Sequence, residues 1–303
     1  MTASAPPVAT YGLGKHFGAV TALDDLTLTL DHGEVFGYLG PNGAGKTTTL
    51  RLLLGFLRPT AGRAEIFGID VADVAQVHRR LAYVPGDVSL WPTLTGAETL
   101  HLLAELHGSV DLAYREELVE RFELDVRRRT REYSKGNRQK VALVAAFATR
   151  ADLLVLDEPT SGLDPLMEQQ FRACVLGAVE RGQTVFLSSH LLSEVEALCH
   201  RVGILREGRL VEVADVDSLR AMHGSVLEVD LADGTAPDLD RLRALPGVTS
   251  VSAIASGVSV RLTGPPGDLL ALLGPAHVVG LRSREASLEE AFLAYYGPDG
   301  GAP

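Results

Sequence analysis

Val35-Phe36-Gly37-Tyr38-Leu39-Gly40-Pro41-Asn42-Gly43-Ala44-Gly45-Lys46-Thr47-Thr48-Thr49-Leu50 runs from an apolar, strand-like stretch through glycines into a helix-like one. Gly40 to Thr47 fits Gly-x-x-x-x-Gly-Lys-[Ser/Thr] at every position. Such glycines let successive backbone N–H groups turn inward on phosphates, and the helix start behind them adds positive potential. Lys46 would reach the β- and γ-phosphate oxygens, Thr47 would ligate Mg²⁺, and Thr48 opens the helix beside them. The competing reading is a glycine-rich turn with no ligand. Its flanks argue against that, since the apolar run precedes the loop and the helical spacing of residues 47–56 follows it, stopping at Gly55 with Pro59 beyond.

Upstream, residues 22–39 read as a hairpin. Leu26, Leu28 and Leu30 alternate with polar neighbours, Asp31-His32-Gly33 supplies a turn, and Glu34 to Leu39 forms the returning strand. Downstream, residues 95–140 are Leu-rich, charge-laced and helical, and predict a helical subdomain over about 88–140. Short apolar strands return at 153–157 and 184–189, separated by a helix over about 165–181, as expected for a parallel sheet with crossover helices. Beyond His223 the pattern changes again. Alternation at 227–231 and 258–262, with helical leucine spacing in LDRLRAL and DLLALLG, gives the order β-α-β-β-α-β, a turn at 264–267, a last helix capped by Ser287 to Glu290, and a loose tail after Tyr296. The domains are therefore 1–223 and a small α+β, ferredoxin-like unit at 224–303.

Leu153-Leu154-Val155-Leu156-Asp157-Glu158 places two carboxylates at the end of a buried strand. Asp157 would hold the Mg²⁺ shell and Glu158 would accept the proton of an attacking water. By itself this could be a strand ending in solvated acids; after a phosphate loop it reads as catalytic. The only asparagines are Asn42 and Asn137, and neither precedes a lysine, so the Asn-Lys-x-Asp guanine reader is missing and GTPases of that kind are excluded.

Tyr133-Ser134-Lys135-Gly136-Asn137-Arg138-Gln139 resembles the LSGGQ signature of ATP-binding cassette (ABC) ATPases, Ser161-Gly162-Leu163-Asp164-Pro165 resembles their D-loop, and His190 in LSSHLLSEVEAL resembles their switch histidine. These motifs stand in the family's order across residues 8–215. The resemblance implies a P-loop NTPase (RecA-like) core and a homodimer sandwiching two ATP molecules. Each sandwich would take Lys46, Thr47, Asp157, Glu158 and His190 from one chain and Ser134 and Gly136 from the other, with Asp164 at the seam. Catalysis would fall to Glu158, His190 and Lys46, and the phosphates to Gly40, Pro41, Asn42, Gly43, Ala44, Gly45, Lys46, Thr47 and Thr48. Adenine would stack on Phe17, with Tyr11 as the competing aromatic. Two departures stand out. Gly86 replaces the family's Mg²⁺-sensing glutamine, leaving Asp87 as a substitute beside it, and Lys135 and Asn137 alter the signature around an intact Ser-x-Gly.

The C-terminal unit, closing in SLEEAFLAYYG, resembles the extension of ATPase subunits from bacterial drug- and antibiotic-efflux ABC exporters. The implied role is to power a separately encoded membrane permease. Competing readings are a non-transport ABC protein acting on ribosomes or DNA, and an importer motor. The 303-residue chain carries a net charge of −11, which disfavours nucleic acid as a partner. Mean hydropathy is +0.13, yet no apolar run reaches the roughly 18 residues a spanning helix needs. Residues 1–10 lack a basic start and an apolar core, so the expected location is the cytoplasmic face of the plasma membrane, peripheral through the permease. Cys174 and Cys199 have no His or Cys cluster around them and read as packing residues. Arg127 to Arg129 with Arg131 reads as a solvated basic face, with lipid or permease contact as the alternative, and Trp91 as packing or a docking anchor.

Overall fold

A computed structural model describes residues 4–232, 238–273 and 278–285. The chain divides into two compact units, 1–213 and 214–303. In the first, β1 (Ala9–Phe17), β2 (Val20–Thr29), β3 (Val35–Leu39), α1 (Lys46–Leu53), β4 (Ala61–Ile66), β5 (Ile69–Asp70), α2 (Val74–Val77) and β6 (Leu81–Val84) come in order. Three longer helices follow, α3 (Gly96–His107), α4 (Leu112–Arg121) and α5 (Lys135–Ala148). Then come β7 (Leu153–Asp157), α6 (Pro165–Glu180), β8 (Thr184–Ser189), α7 (Leu192–Leu198), β9 (Arg201–Arg206) and β10 (Arg209–Asp215).

Local chemistry sets several boundaries. Thr95 and Glu98 form a reciprocal capping box at the start of α3, and Gly108 ends it in the left-handed region at φ 81°. Asp164 caps α6 by accepting the Leu166 and Met167 N–H groups, both at 3.1 Å, ahead of Pro165 in the first turn.

A six-stranded sheet runs in the order β10-β9-β3-β8-β7-β6, with β9, β3, β8, β7 and β6 paired in parallel. Every residue of β3, β7 and β8 is buried, as expected for strands covered on both faces. A second, antiparallel sheet has the order β2-β1-β4-β5. Leu26, Leu28 and Leu30 from that sheet share one core with Phe36, Tyr38 and Phe186 from the first and Leu50, Leu52 and Leu53 from α1.

The hairpin expected over 22–39 does not form. β2 pairs with β1, while β3 lies between β8 and β9 in the other sheet. Asp31-His32-Gly33 carries the chain from one sheet to the other. Alternating leucines in β2 bury one face, whereas the unbroken apolar run of β3 buries both, and such strands belong to different sheets.

In the second unit, α8 (Val216–His223), β11 (Ser225–Leu231), α9 (Leu239–Arg243), β12 (Val248–Ile254), β13 (Gly257–Leu262), α10 (Gly267–Leu273) and β14 (Val278–Glu285) follow. After α8 the order β-α-β-β-α-β is the one expected from the sequence. The sheet is antiparallel, β12-β13-β11-β14, so the first strand lies between the third and the fourth. Leu227, Val229, Val258 and Val260 pack with Leu242 of α9 and Leu269 and Leu273 of α10. The helix expected from Ser287 and the tail after Tyr296 lie outside the described residues.

Candidate nucleotide site

Beyond β3, the chain passes so close to its neighbours that side chains do not fit. A Cβ on Gly40 would stand 2.6 Å from Leu205 O, and one on Gly45, at φ 112°, 2.6 Å from Ala22 O. α1 then begins at Lys46 with no side-chain cap, leaving its first N–H groups without an intrahelical acceptor. The Lys46 ammonium folds back, donating to Gly40 O at 2.5 Å and Pro41 O at 3.2 Å. Burial pulls it below the usual lysine range, against the attraction of Glu158 and Asp157.

Asp157 ends β7, buried, with Thr47 Oγ1 donating to its Oδ2 at 3.4 Å. Burial pushes its carboxyl up, a rise that the neighbouring Glu158 charge reinforces and that the Thr47 hydroxyl and Lys46 ammonium oppose. Glu158 sits in the left-handed region at φ 46°, unusual for a side chain of its size. Its N–H donates to Ser188 O at 2.9 Å, and its Oε1 lies 3.2 Å from His190 Nδ1. A cavity of about 170 Å³ is lined by Pro41, Asn42, Gly43, Gly45, Lys46, Thr47, Thr48, Glu158 and Ala22. Ala44 is buried behind the loop, its N–H bonded to Pro41 O at 3.1 Å.

The fold thus gathers the phosphate loop, both carboxylates and the histidine. Gly86 joins them: a Cβ there would lie 3.2 Å from Asp157 O and 3.7 Å from Glu158 Cβ. Asp87, beside it, is exposed and does not line the cavity. Ala22 was missed by sequence reasoning, because a lone alanine on a strand carries no chemical signal.

The remaining expected residues do not line this cavity. Phe17 is half exposed at the β1–β2 turn with Lys15 Nζ 5.1 Å over its ring, and Tyr11 is covered by the Arg63 guanidinium at 4.2 Å. Ser134 caps α5, accepting the Asn137 N–H at 3.2 Å. Gly136 packs against the D-loop so closely that a Cβ would come 2.4 Å from Gly162 O. Lys135 Nζ donates to Ser161 Oγ at 2.6 Å, and the buried Gln139 donates to Pro159 O at 3.0 Å. The signature helix is therefore stitched to the segment just beyond Glu158. Arg127, Arg128, Arg129 and Arg131 are exposed, the second and fourth lying 3.8 and 3.9 Å from Glu132. Cys174 and Cys199 are buried and free.

The family described as ABC transporter matches residues 23–161. A bacitracin transport ATP-binding protein of Bacillus licheniformis is 36% identical over 75% of this chain and 75% of its own length. The daunorubicin/doxorubicin resistance ATP-binding protein of Streptomyces peucetius is 36% identical over 96% of this chain and 92% of its own. A solved ATP-binding subunit of an ABC transporter superposes with a TM-score of 0.67 at 32% identity, covering 71% of this chain and 92% of that one. Among the described residues no helix is long and apolar enough to cross a membrane. With phosphate loop, paired carboxylates and signature helix in one fold, the chain belongs to the ABC transporter family, as an ATP-binding subunit.

Proposed function

We propose that this ATPase drives export of a drug- or antibiotic-class compound through a separately encoded membrane permease. The observation that carries this reading is the alignment with the daunorubicin/doxorubicin resistance protein, which spans 96% of the chain and so takes in both units. The chain would act at the cytoplasmic face of the plasma membrane, held there by the permease.

In the catalytic step, Glu158 accepts the proton of a water attacking the γ-phosphorus, the bond from that phosphorus to the β–γ bridging oxygen breaks, and ADP departs. His190, in contact with the same carboxylate, orients it. Lys46 leaves its backbone acceptors for the β- and γ-phosphate oxygens, and the loop N–H groups from Gly40 to Thr48 receive the rest of the charge. The Thr47 hydroxyl and Asp157 carboxylate are hard oxygen donors already paired at 3.4 Å, the donor set Mg²⁺ prefers. Mg²⁺ bound there would neutralise charge on the β- and γ-phosphates. Gly86 brings no side chain to that shell, and Asp87 beside it in sequence is the acid that would substitute.

Two copies of the chain would close head to tail on two ATP molecules, with Ser134 and Gly136 of each facing the phosphates on the other, Asp164 at the seam and Phe17 against adenine. The N-terminal end of α5 offers these phosphates its dipole. Separately, a cavity of about 620 Å³ beside β6, α3 and α5 is lined by Phe56, Val88, Leu90, Trp91 and Leu106, with Trp91 and Leu106 exposed. Its apolar walls suit a cytoplasmic segment of the permease. The second unit, read as a ferredoxin-like domain, would reinforce the dimer.

The decisive experiment is affinity capture with tagged Glu158→Gln protein and ATP from detergent-solubilised cells, followed by mass spectrometry. Recovery of a polytopic membrane protein is expected. Ribosomal or DNA-repair proteins with no membrane partner would overturn the transport reading.

A further inference from the structure

Close behind His190 lies a buried acid to which the proposed chemistry gives no part. Glu194, in the first turn of α7, is only 5% exposed. Its Oε2 accepts a hydrogen bond of 2.6 Å from Ser189 Oγ, and the Thr160 side chain approaches it as well. Its Oε1 is buried without a hydrogen-bond partner among the described residues. Burial pushes this carboxyl up; Ser189 and Thr160 pull it back, Glu168 adds to the rise and Arg172 opposes it. An acid placed merely to favour a helix start works from the surface. Sinking one behind the strand ends carries a desolvation cost that an exposed residue avoids.

Both polar partners of Glu194 adjoin the catalytic pair. Ser189 immediately precedes His190, and Thr160 lies two residues beyond Glu158. Ser189 Oγ also receives the Leu191 N–H at 3.0 Å, so the residues on either side of His190 depend on a single hydroxyl whose proton is committed to Glu194. Glu158 in turn is tied to the same strand end through its N–H to Ser188 O at 2.9 Å. The result is a run of contacts from Glu194 to Ser189 at 2.6 Å, from Ser189 along the backbone to His190, and from His190 to Glu158 at 3.2 Å.

We propose that Glu194 is a positioning residue that holds His190 against Glu158, acting through Ser189. The proposal rests on the roles given above to Glu158 and His190. The full-length chain is compared with Glu194→Ala, Glu194→Gln, Ser189→Ala, His190→Ala and the double variant Glu194→Ala/His190→Ala. Readouts are kcat and KM for ATP hydrolysis, the Kd of a fluorescent ATP analogue, and Tm. Glu194→Ala should lower kcat about 10-fold through misplacement of the pair, with KM and Kd within about twofold of wild type. Glu194→Gln, which keeps a carbonyl acceptor for the Ser189 hydroxyl, should recover most of the loss, and Ser189→Ala should reproduce it. The double variant should be no slower than His190→Ala alone.

Unchanged kcat in Glu194→Ala, or full additivity on a slow His190→Ala background, would overturn the proposal while leaving the His190 reading intact. A His190→Ala enzyme of wild-type rate would remove that reading and this one with it. If Glu194→Ala does not fold, Ser189→Ala and Glu194→Gln decide: wild-type kcat in Ser189→Ala refutes the proposal, and a loss there that Glu194→Gln does not share supports it.

Discussion

Gly86 stands against the Asp157 backbone and the Glu158 Cβ, so any side chain placed there grows along the end of β7. Gly86→Gln should therefore raise the apparent Mg²⁺ affinity in an ATPase titration, since its Cβ contact of 3.2 Å calls for a shift of only a few tenths of an ångström. Asp87→Ala tests the alternative: unchanged activity and Mg²⁺ dependence would dismiss Asp87 as the substitute. Away from the site, Glu34 is buried beside Arg201, whose guanidinium lies 3.2 Å from its Oε1. Burial pushes the Glu34 carboxyl up, and the Asp31 backbone N–H and Arg201 pull it back. A folded-state pKa above the unfolded one means that ionisation costs stability as pH rises through it. Arg201→Ala should cost about 1–3 kcal/mol near neutrality by leaving this carboxylate unpaired. The deficit should shrink on acidification, as Glu34 protonates and no longer needs the cation. Urea denaturation of both proteins at two pH values measures it; a deficit that grows in acid would contradict the argument.

At the level of elements, α5 and the D-loop touch backbone to backbone at Gly136 and Gly162. Gly136→Ala gains up to about 1 kcal/mol of helix propensity. It must also fit a Cβ that would otherwise lie 2.4 Å from a carbonyl oxygen, and overpacking of that kind costs about 1–3 kcal/mol. The clash should win, giving a lower Tm and slower ATP hydrolysis, because the displaced segment leads directly back to Glu158. Asp164→Ala should cost about 1 kcal/mol through loss of the α6 cap, read by denaturant melting. If Asp164 also meets a second chain, ATP-driven dimerisation of the variant will weaken beyond what that stability loss explains.

For the whole molecule, each of the two units buries a hydrophobic core of its own among the described residues. A chain ending at Gly224 should consequently keep the nucleotide site. If the second unit reinforces the dimer, light scattering of Glu158→Gln protein with ATP will give weaker association for the shortened chain than for the full one. Equal affinities would count against that role. A net charge of −11 makes two copies repel on average, so ATP-dependent association should strengthen with moderate salt unless phosphate contacts dominate.

Short motifs whose chemistry depends on spacing were legible from the chain alone. Gly40 to Thr47 needs its glycines for backbone approach, and the apolar run before Asp157-Glu158 needs burial; both constraints are local, so both are written in consecutive residues. The alternation that orders the second unit as β-α-β-β-α-β is local in the same way. Partners of strands are not. Residues 22–39 carry two strand patterns and a turn, and nothing nearby says that β3 will lie beside β8 and β9, which are formed from residues 184–189 and 201–206. Likewise Glu194 looks like an ordinary helix acid until Ser189 is seen bonded to it, and nothing in the sequence shows that Gly86 lies against the backbone of Asp157. The sequence determined which phosphate chemistry this protein performs, because that follows from residue types a few positions apart. Tertiary structure alone decided sheet membership, the stitching of α5 to the D-loop and the burial of Glu194 against Ser189 behind His190, because each depends on groups brought together by packing that local residue patterns do not encode.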